Sequence, residues 1–260
     1  MLWMTAISMI LFAFFFDTPV GITQGIWRII LHPDGLITDY SSVGGFGAMF
    51  MNSGLIMAAS ILIVKRSHAM INGATIACVF LMAGFSMFGK NIANIWPIIL
   101  GVYLFSKEQR ENFSKYVYIA LYGTALAPMI TEVALISDHL LGKLIAAIVF
   151  GTIIGFLLPP LATYCLRVHQ GYNLYNVGFA AGLIGTLLVS VMKSLGYETT
   201  SNLVWTYENN WVVVGYLYLL SAALLAAGWL MLDDKKMIRR IYRHSGRLVA
   251  DFILLDGLPL

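Results

Sequence analysis

The residues best suited to chemistry lie between two apolar runs, from Asn72-Gly73 through Gly84-Phe85-Ser86-Met87-Phe88-Gly89-Lys90-Asn91 to Asn94-Ile95-Trp96-Pro97. Glycines that reverse the chain, carboxamides that donate and accept, and one cation are the materials of a binding site, not of bond-making. Exposed N–H groups and the positive end of a helix can hold an anion or a polar solute. Pro97 fits the first turn of such a helix, where N–H groups lack intrahelical partners anyway. Lys90, Asn91, Asn94 and Asn72 are therefore candidate contacts. The plainer alternative has Lys90 snorkelling to an interface while Gly89 merely turns the chain.

Glu132 stands within an apolar stretch from Tyr116 to Ile136, about one turn from its end. A carboxylate at bilayer depth faces a cavity, a cation or a proton path, and Lys90 and Lys143 are its candidate partners; an interfacial Glu reaching water is the other reading. Pro159-Pro160 is expected to interrupt an apolar helix and free upstream carbonyls. Asn173 and Asn176, in His169-Gln170-Gly171-Tyr172-Asn173-Leu174-Tyr175-Asn176, can hydrogen-bond a neutral polar solute or simply start a helix. His169 has no second His or Cys at ligand spacing, so no metal site and no cofactor are expected. HExxH, GxSxG, the P-loop and acid pairs at helical spacing do not occur, which argues against an enzyme.

The elements that must position these residues are membrane helices. Of 260 residues, 59% are apolar and 11% charged, against about 45–50% and about 25% in soluble domains. Unbroken runs such as Trp211 to Leu232 exclude the short alternating segments of an outer-membrane barrel. The fold class is all-α, a polytopic bundle in a single membrane domain over 1–260 with eight crossings, at about 1–16, 43–64, 70–89, 92–105, 116–136, 144–166, 173–193 and 211–232. The 37 residues from Met70 to Ser106 give roughly 55 Å of helix, less than the roughly 60 Å of two full crossings. The pair is therefore short, and its turn dips below the surface.

With the N-terminus in the cytoplasm, the inside segments hold 12 of the 16 basic residues, leaving Arg28, Lys90, Lys143 and Lys193 outside. Both termini are then cytoplasmic. The basic segment 233–247 lies just inside, where it can meet anionic lipid, although topology alone explains it. Gly21 to Leu31 is too short to cross and suits an interfacial helix; Asp39 or Ser41 can cap the next one. Cys78 and Cys165 sit within apolar runs and call for no disulfide. The net charge of +3 supports no nucleic-acid partner.

Gly151/Gly155 and Gly178/Gly182 are GxxxG pairs that favour close helix packing and leave a homo-oligomer open. Gly45-Phe46-Gly47-Ala48 and Gly178-Phe179-Ala180-Ala181 resemble each other on helices of opposite direction, a hint of an inverted repeat. Asp39-Tyr40 with Gly44-Gly45-Phe46-Gly47-Ala48, Asn72-Gly73, Gly89-Lys90-Asn91 with Asn94 and Pro97, and Gly171-Tyr172-Asn173-Leu174-Tyr175-Asn176 together resemble an uncharacterised bacterial multi-pass membrane protein family, a domain of unknown function. The resemblance implies longer members that repeat the NG and GK-N-P elements near the C-terminus, so that this chain is a truncated version. It supplies no substrate and no catalytic residue. The expectation is a transporter or channel for a small polar or anionic solute in the bacterial cytoplasmic membrane, with Glu132 adding charge or proton coupling. The rivals are a non-transporting assembly partner and, behind it, a lipid-modifying membrane enzyme.

Overall fold

The structure, a computed structural model, describes residues 1–33, 38–169, 176–197, 204–207, 210–232, 239, 241–244 and 251–256. The described residues form an all-helical protein: α1 (Leu2–Ala13), α2 (Pro19–Leu31), α3 (Tyr40–Gly44), α4 (Phe46–Arg66), α5 (Gly73–Phe85), α6 (Trp96–Glu108), α7 (Val117–Gly123), α8 (Ala127–Leu135), α9 (Leu140–His169), α10 (Asn176–Ser194), α11 (Asn210–Leu230) and α12 (Phe252–Asp256). Five helical stretches are long and apolar enough to cross a membrane, namely α4, α7–α8, α9, α10 and α11. That is the pattern of a multi-pass membrane protein.

The 13-residue helices α5 and α6 are each only about 20 Å long. Neither reaches across the roughly 30 Å of hydrocarbon. The chain turns back between them, because both far ends return to one side. Tyr118, at the start of α7, donates its hydroxyl proton to Met70 O at 2.7 Å, beside the start of α5, and α7 follows α6 after a short connection. The turn itself lies against Asn52 of α4, six residues or about 9 Å in from that helix's start. The pair is short, as its chain length predicts. The face at the start of α5 is called the Asn72 side below, and the opposite face the Asp39 side.

α1 lies antiparallel on α4, with Ala13 by Gly47 and Ala6 by Gly54. α2 starts on Pro19, is capped by the Thr18 hydroxyl, and buries a stripe of Ile22, Gly25 and Ile29 against α3 and α4 while exposing Val20, Trp27 and Leu31. This amphipathic placement matches the interfacial helix expected there. α5 packs on α4, α6 packs on α9, and α7 touches both α5 and α6.

Two local expectations require correction. The stretch 116–136 is not one helix: it breaks into α7, a 3-10 turn at Thr124–Leu126, and α8. Pro128 at the start of α8 removes an N–H donor that a continuous helix would use. By contrast, α9 runs unbroken through Pro159 and Pro160, as prolines are tolerated within membrane helices.

Gly101 and Gly155 allow α6 and α9 to touch backbone to backbone. A Cβ on Gly155 would overlap Ile98 O, and one on Gly101 would overlap Thr152 O. The first GxxxG pair is thus a packing surface, since Gly151 also meets Pro97 and Ile130, whereas Gly182 faces open space. Gly155→Leu is expected to destabilise the purified protein by roughly 1–3 kcal/mol through overpacking, read as a lower Tm in detergent. Gly182→Ala should leave Tm unchanged, and equal effects from the two would remove this account of the α6–α9 contact.

Candidate functional site

The turn between α5 and α6, residues 86–95, is irregular backbone inside the protein, and such backbone is tolerated at membrane depth only where partners satisfy it. Asn52 supplies three of them. Its Nδ2 donates to Ser86 O at 2.7 Å and to Lys90 O at 2.8 Å, and its Oδ1 accepts from Ile92 N at 3.0 Å. Asn91 Oδ1 accepts from the N–H groups of Ala93 and Asn94, both at 3.0 Å. Asn94 Oδ1 accepts from Asn91 N at 2.9 Å, while its Nδ2 donates to Gly89 O and to Thr131 Oγ1, both at 3.2 Å. Gly89 makes the reversal at φ 82°, a left-handed conformation that a side chain would strain.

The structure therefore brings Lys90, Asn91 and Asn94 together, all buried, but it occupies the two amides with the turn's own backbone. The N–H groups of Asn91, Ile92, Ala93 and Asn94 are all taken by side-chain carbonyls. What the turn presents beyond itself is the lysine. Lys90 is 2% exposed; its Nζ lies 3.5 Å from Met82 Sδ and 4.9 Å from the centroid of the Phe85 ring. Met82 Sδ also accepts from Thr124 Oγ1 at 3.2 Å, at the break between α7 and α8. Among the described residues the one ion pair is Lys115–Glu111, so no carboxylate neutralises Lys90.

Magnitudes make that arrangement unusual. A cation over an aromatic face gains about 2 kcal/mol when desolvated, and a thioether is a weak acceptor. Removing an ion from water costs several kcal/mol even after relaxation. The two neighbours offset only part of that cost.

The other candidates lie apart from the lysine. Asn72 caps the opposite end of α5, where its Oδ1 accepts from Thr75 N at 3.0 Å and the Thr75 hydroxyl accepts from Asn72 N at 3.0 Å. Glu132 follows Thr131 on α8 and forms no ion pair with Lys90 or Lys143. Asn176 opens α10, and Asn173 lies outside the described residues.

A family model described as "Protein of unknown function (DUF1576)" matches residues 18–194, more than half of the 260-residue chain. The chain belongs to this family. The DUF1576 match takes in α2 to α10 and so contains the whole turn, its Asn52 support and the α7–α8 break. No curated protein and no solved structure matches the chain.

Both ends of α5 are tied down, in part by Val204 and Asp251, which lie beyond the family's matched region. On the Asp39 side, Tyr40 N donates to Met87 O at 3.2 Å, Asp39 pairs with Phe88, and Asp39 N donates to Val204 O at 3.0 Å. On the Asn72 side, Gly73 N donates to Asp251 Oδ2 at 2.9 Å and the Thr75 and Tyr118 hydroxyls meet at 2.6 Å. Lys90 lies between these two anchored ends and is buried. Two apolar crevices of about 500 Å³ flank α11, one beside Phe85 and Leu217 and the other beside Lys65 and Leu224; Lys90 lines neither.

Asn52, Ser53, Thr124 and Thr131 were not singled out from sequence. The usable signal was an Asn-Ser pair inside an otherwise apolar span, since polar groups at membrane depth point inward. Asn52→Ala leaves three buried backbone groups of the turn without partners, and is expected to cost at least about 2 kcal/mol. Asn72→Ala removes only a helix cap, worth about 1 kcal/mol. Denaturation of the purified variants should rank them in that order; the reverse order would mean that Asn52 does not organise the turn.

Proposed function

We propose that this protein moves a small polar or anionic solute across a membrane, with Lys90 at the centre of an occluded site. The observation that carries the reading is a 2%-exposed lysine with no carboxylate partner among the described residues, held at the tip of a re-entrant helix pair. Broken and turned-back helices around a charged residue at depth are a recurring transporter device, and the nearby α7–α8 break adds a second interruption. On this reading Asn52, Asn91 and Asn94 hold the turn, and Lys90 meets the solute.

The topology we infer has five full crossings, the five long helical stretches, while the 12-residue α1 lies along α4 and α5–α6 enters and leaves by one face. Exchanging two crossings for a re-entrant pair leaves the sidedness of everything that follows unchanged. The basic ends of α4 and α6 and the segment before α7 carry Lys65, Arg66, Lys107 and Lys115 on the Asn72 side. The positive-inside rule then makes that side cytoplasmic, in a bacterial plasma membrane.

The test is thermal stability of the purified protein and of Lys90→Gln across chloride, nitrate, lactate, sulfate, urea and glycerol. A solute that binds the native state at about 100 times its Kd stabilises by about 2.7 kcal/mol through mass action. At least one solute is expected to raise Tm of the wild type and not of the variant. Silence across the panel, or equal shifts in both proteins, would overturn the reading.

A further inference from the structure

The Proposed function leaves open what travels with the solute, and the charge balance around Lys90 answers this. Resting on that reading, we propose that the site takes one monovalent anion together with one proton, the proton residing on Lys90 Nζ.

An amine this deeply buried must have its charge balanced by what lies around it. Around Nζ stand a thioether from Met82 and the face of Phe85, neither of which bears charge. The N–H groups of the turn, which would otherwise share an anion's charge, are consumed by Asn52, Asn91 and Asn94. The titratable side chain that shares α5 with this environment is Cys78. From α7, Tyr122 directs its hydroxyl to Ala74 O at 3.5 Å. From α8, Glu132 makes no ion pair. From the α3 segment, the Asp39 carboxylate is engaged by Ser41 and by Thr206 N. Among the described residues, no fixed countercharge therefore sits beside the amine.

A site with one ionisable amine and no fixed partner has two forms that are neutral overall. Empty, it holds a free amine; loaded, it holds an ammonium against a single negative charge. The step is R–NH2 + H+ + A− → R–NH3+·A−, in which one N–H bond forms and no electrons are transferred. A dianion would leave one negative charge uncompensated in the same space, because no second cation lies at the turn. A neutral solute would not balance the ammonium at all. Both states that cross are uncharged, so the cycle moves anion and proton together and is insensitive to membrane potential.

The experiment uses the full chain in liposomes containing a pH-sensitive dye, with potassium and valinomycin setting the membrane potential. External nitrate, chloride or lactate, against sulfate, supplies the probe, and protein-free liposomes give the leak. Expected for the wild type is lumenal acidification driven by at least one monovalent anion, at the same rate at zero and at imposed potential, and absent with sulfate. Lys90→Arg, whose guanidinium keeps its proton, should lose acidification by more than tenfold yet retain exchange of the labelled anion, which also shows that it has folded. Anion uptake without acidification, uptake that follows the potential, equal transport of sulfate, or acidification that survives in Lys90→Arg would each overturn the inference while leaving a transporter. A wild type that neither binds nor moves any solute of either panel would overturn the Proposed function itself, and this inference with it.

Discussion

Backbone that leaves the helical ladder at membrane depth has no water to turn to, and each unsatisfied N–H or C=O there costs free energy. The irregular turn between α5 and α6 is subject to that constraint in a membrane protein, and the carboxamide of Asn52 meets much of it. One side chain, entirely buried on α4, joins Ser86, Lys90 and Ile92 and thereby fixes where α5 ends and α6 can begin. Asn91 and Asn94 then close the remaining N–H groups among themselves, and Asn94 ties the turn to Thr131 on α8. A carboxamide suits this work because it is donor and acceptor at once. A carboxylate would lack the donor half.

The same economy isolates the lysine. Had the turn's amides been directed outward, an anion could have been shared among several donors, as at other helix starts. Here the donors are turned inward and the single remaining charge-bearing group is set against sulfur and an aromatic ring. Selectivity in such a site would come from charge count more than from a pattern of hydrogen bonds. That is why the amides, which look like ligands in the sequence, belong to the scaffold.

The sequence made the helical class plain, because hydropathy and length answer to the bilayer. It also exposed the shortness of the α5–α6 pair, since Met70 to Ser106 is too short for two full crossings, and it named Lys90, Asn91 and Asn94 as neighbours because all three lie within one turn. It did not assign the amides their role, which depends on what Asn52 and Thr131, 38 residues before Lys90 and 37 after Asn94, contribute from other helices. Proline misled in both directions. Pro128 was passed over inside the stretch 116–136, where it marks a break, whereas Pro159-Pro160 was expected to interrupt a helix that continues. A proline states only that a donor is missing; whether the helix survives depends on neighbours that are remote in sequence.

The glycine contact between α6 and α9 has a mechanical meaning. Gly101 and Gly155 bring the backbones of α6 and α9 into contact, and a pair packed so closely is naturally treated as one stiff plate. α5 is lodged with α4 and α1 in another. The turn is the seam where the plates join, and Asn52 reaches across it from one plate to residues leading into the other. A slide of one plate past the other, the shear by which packed helices rearrange, would be felt first at this seam. The three Asn52 hydrogen bonds would be strained first by such a slide, and the lysine beside them would feel the change in its surroundings.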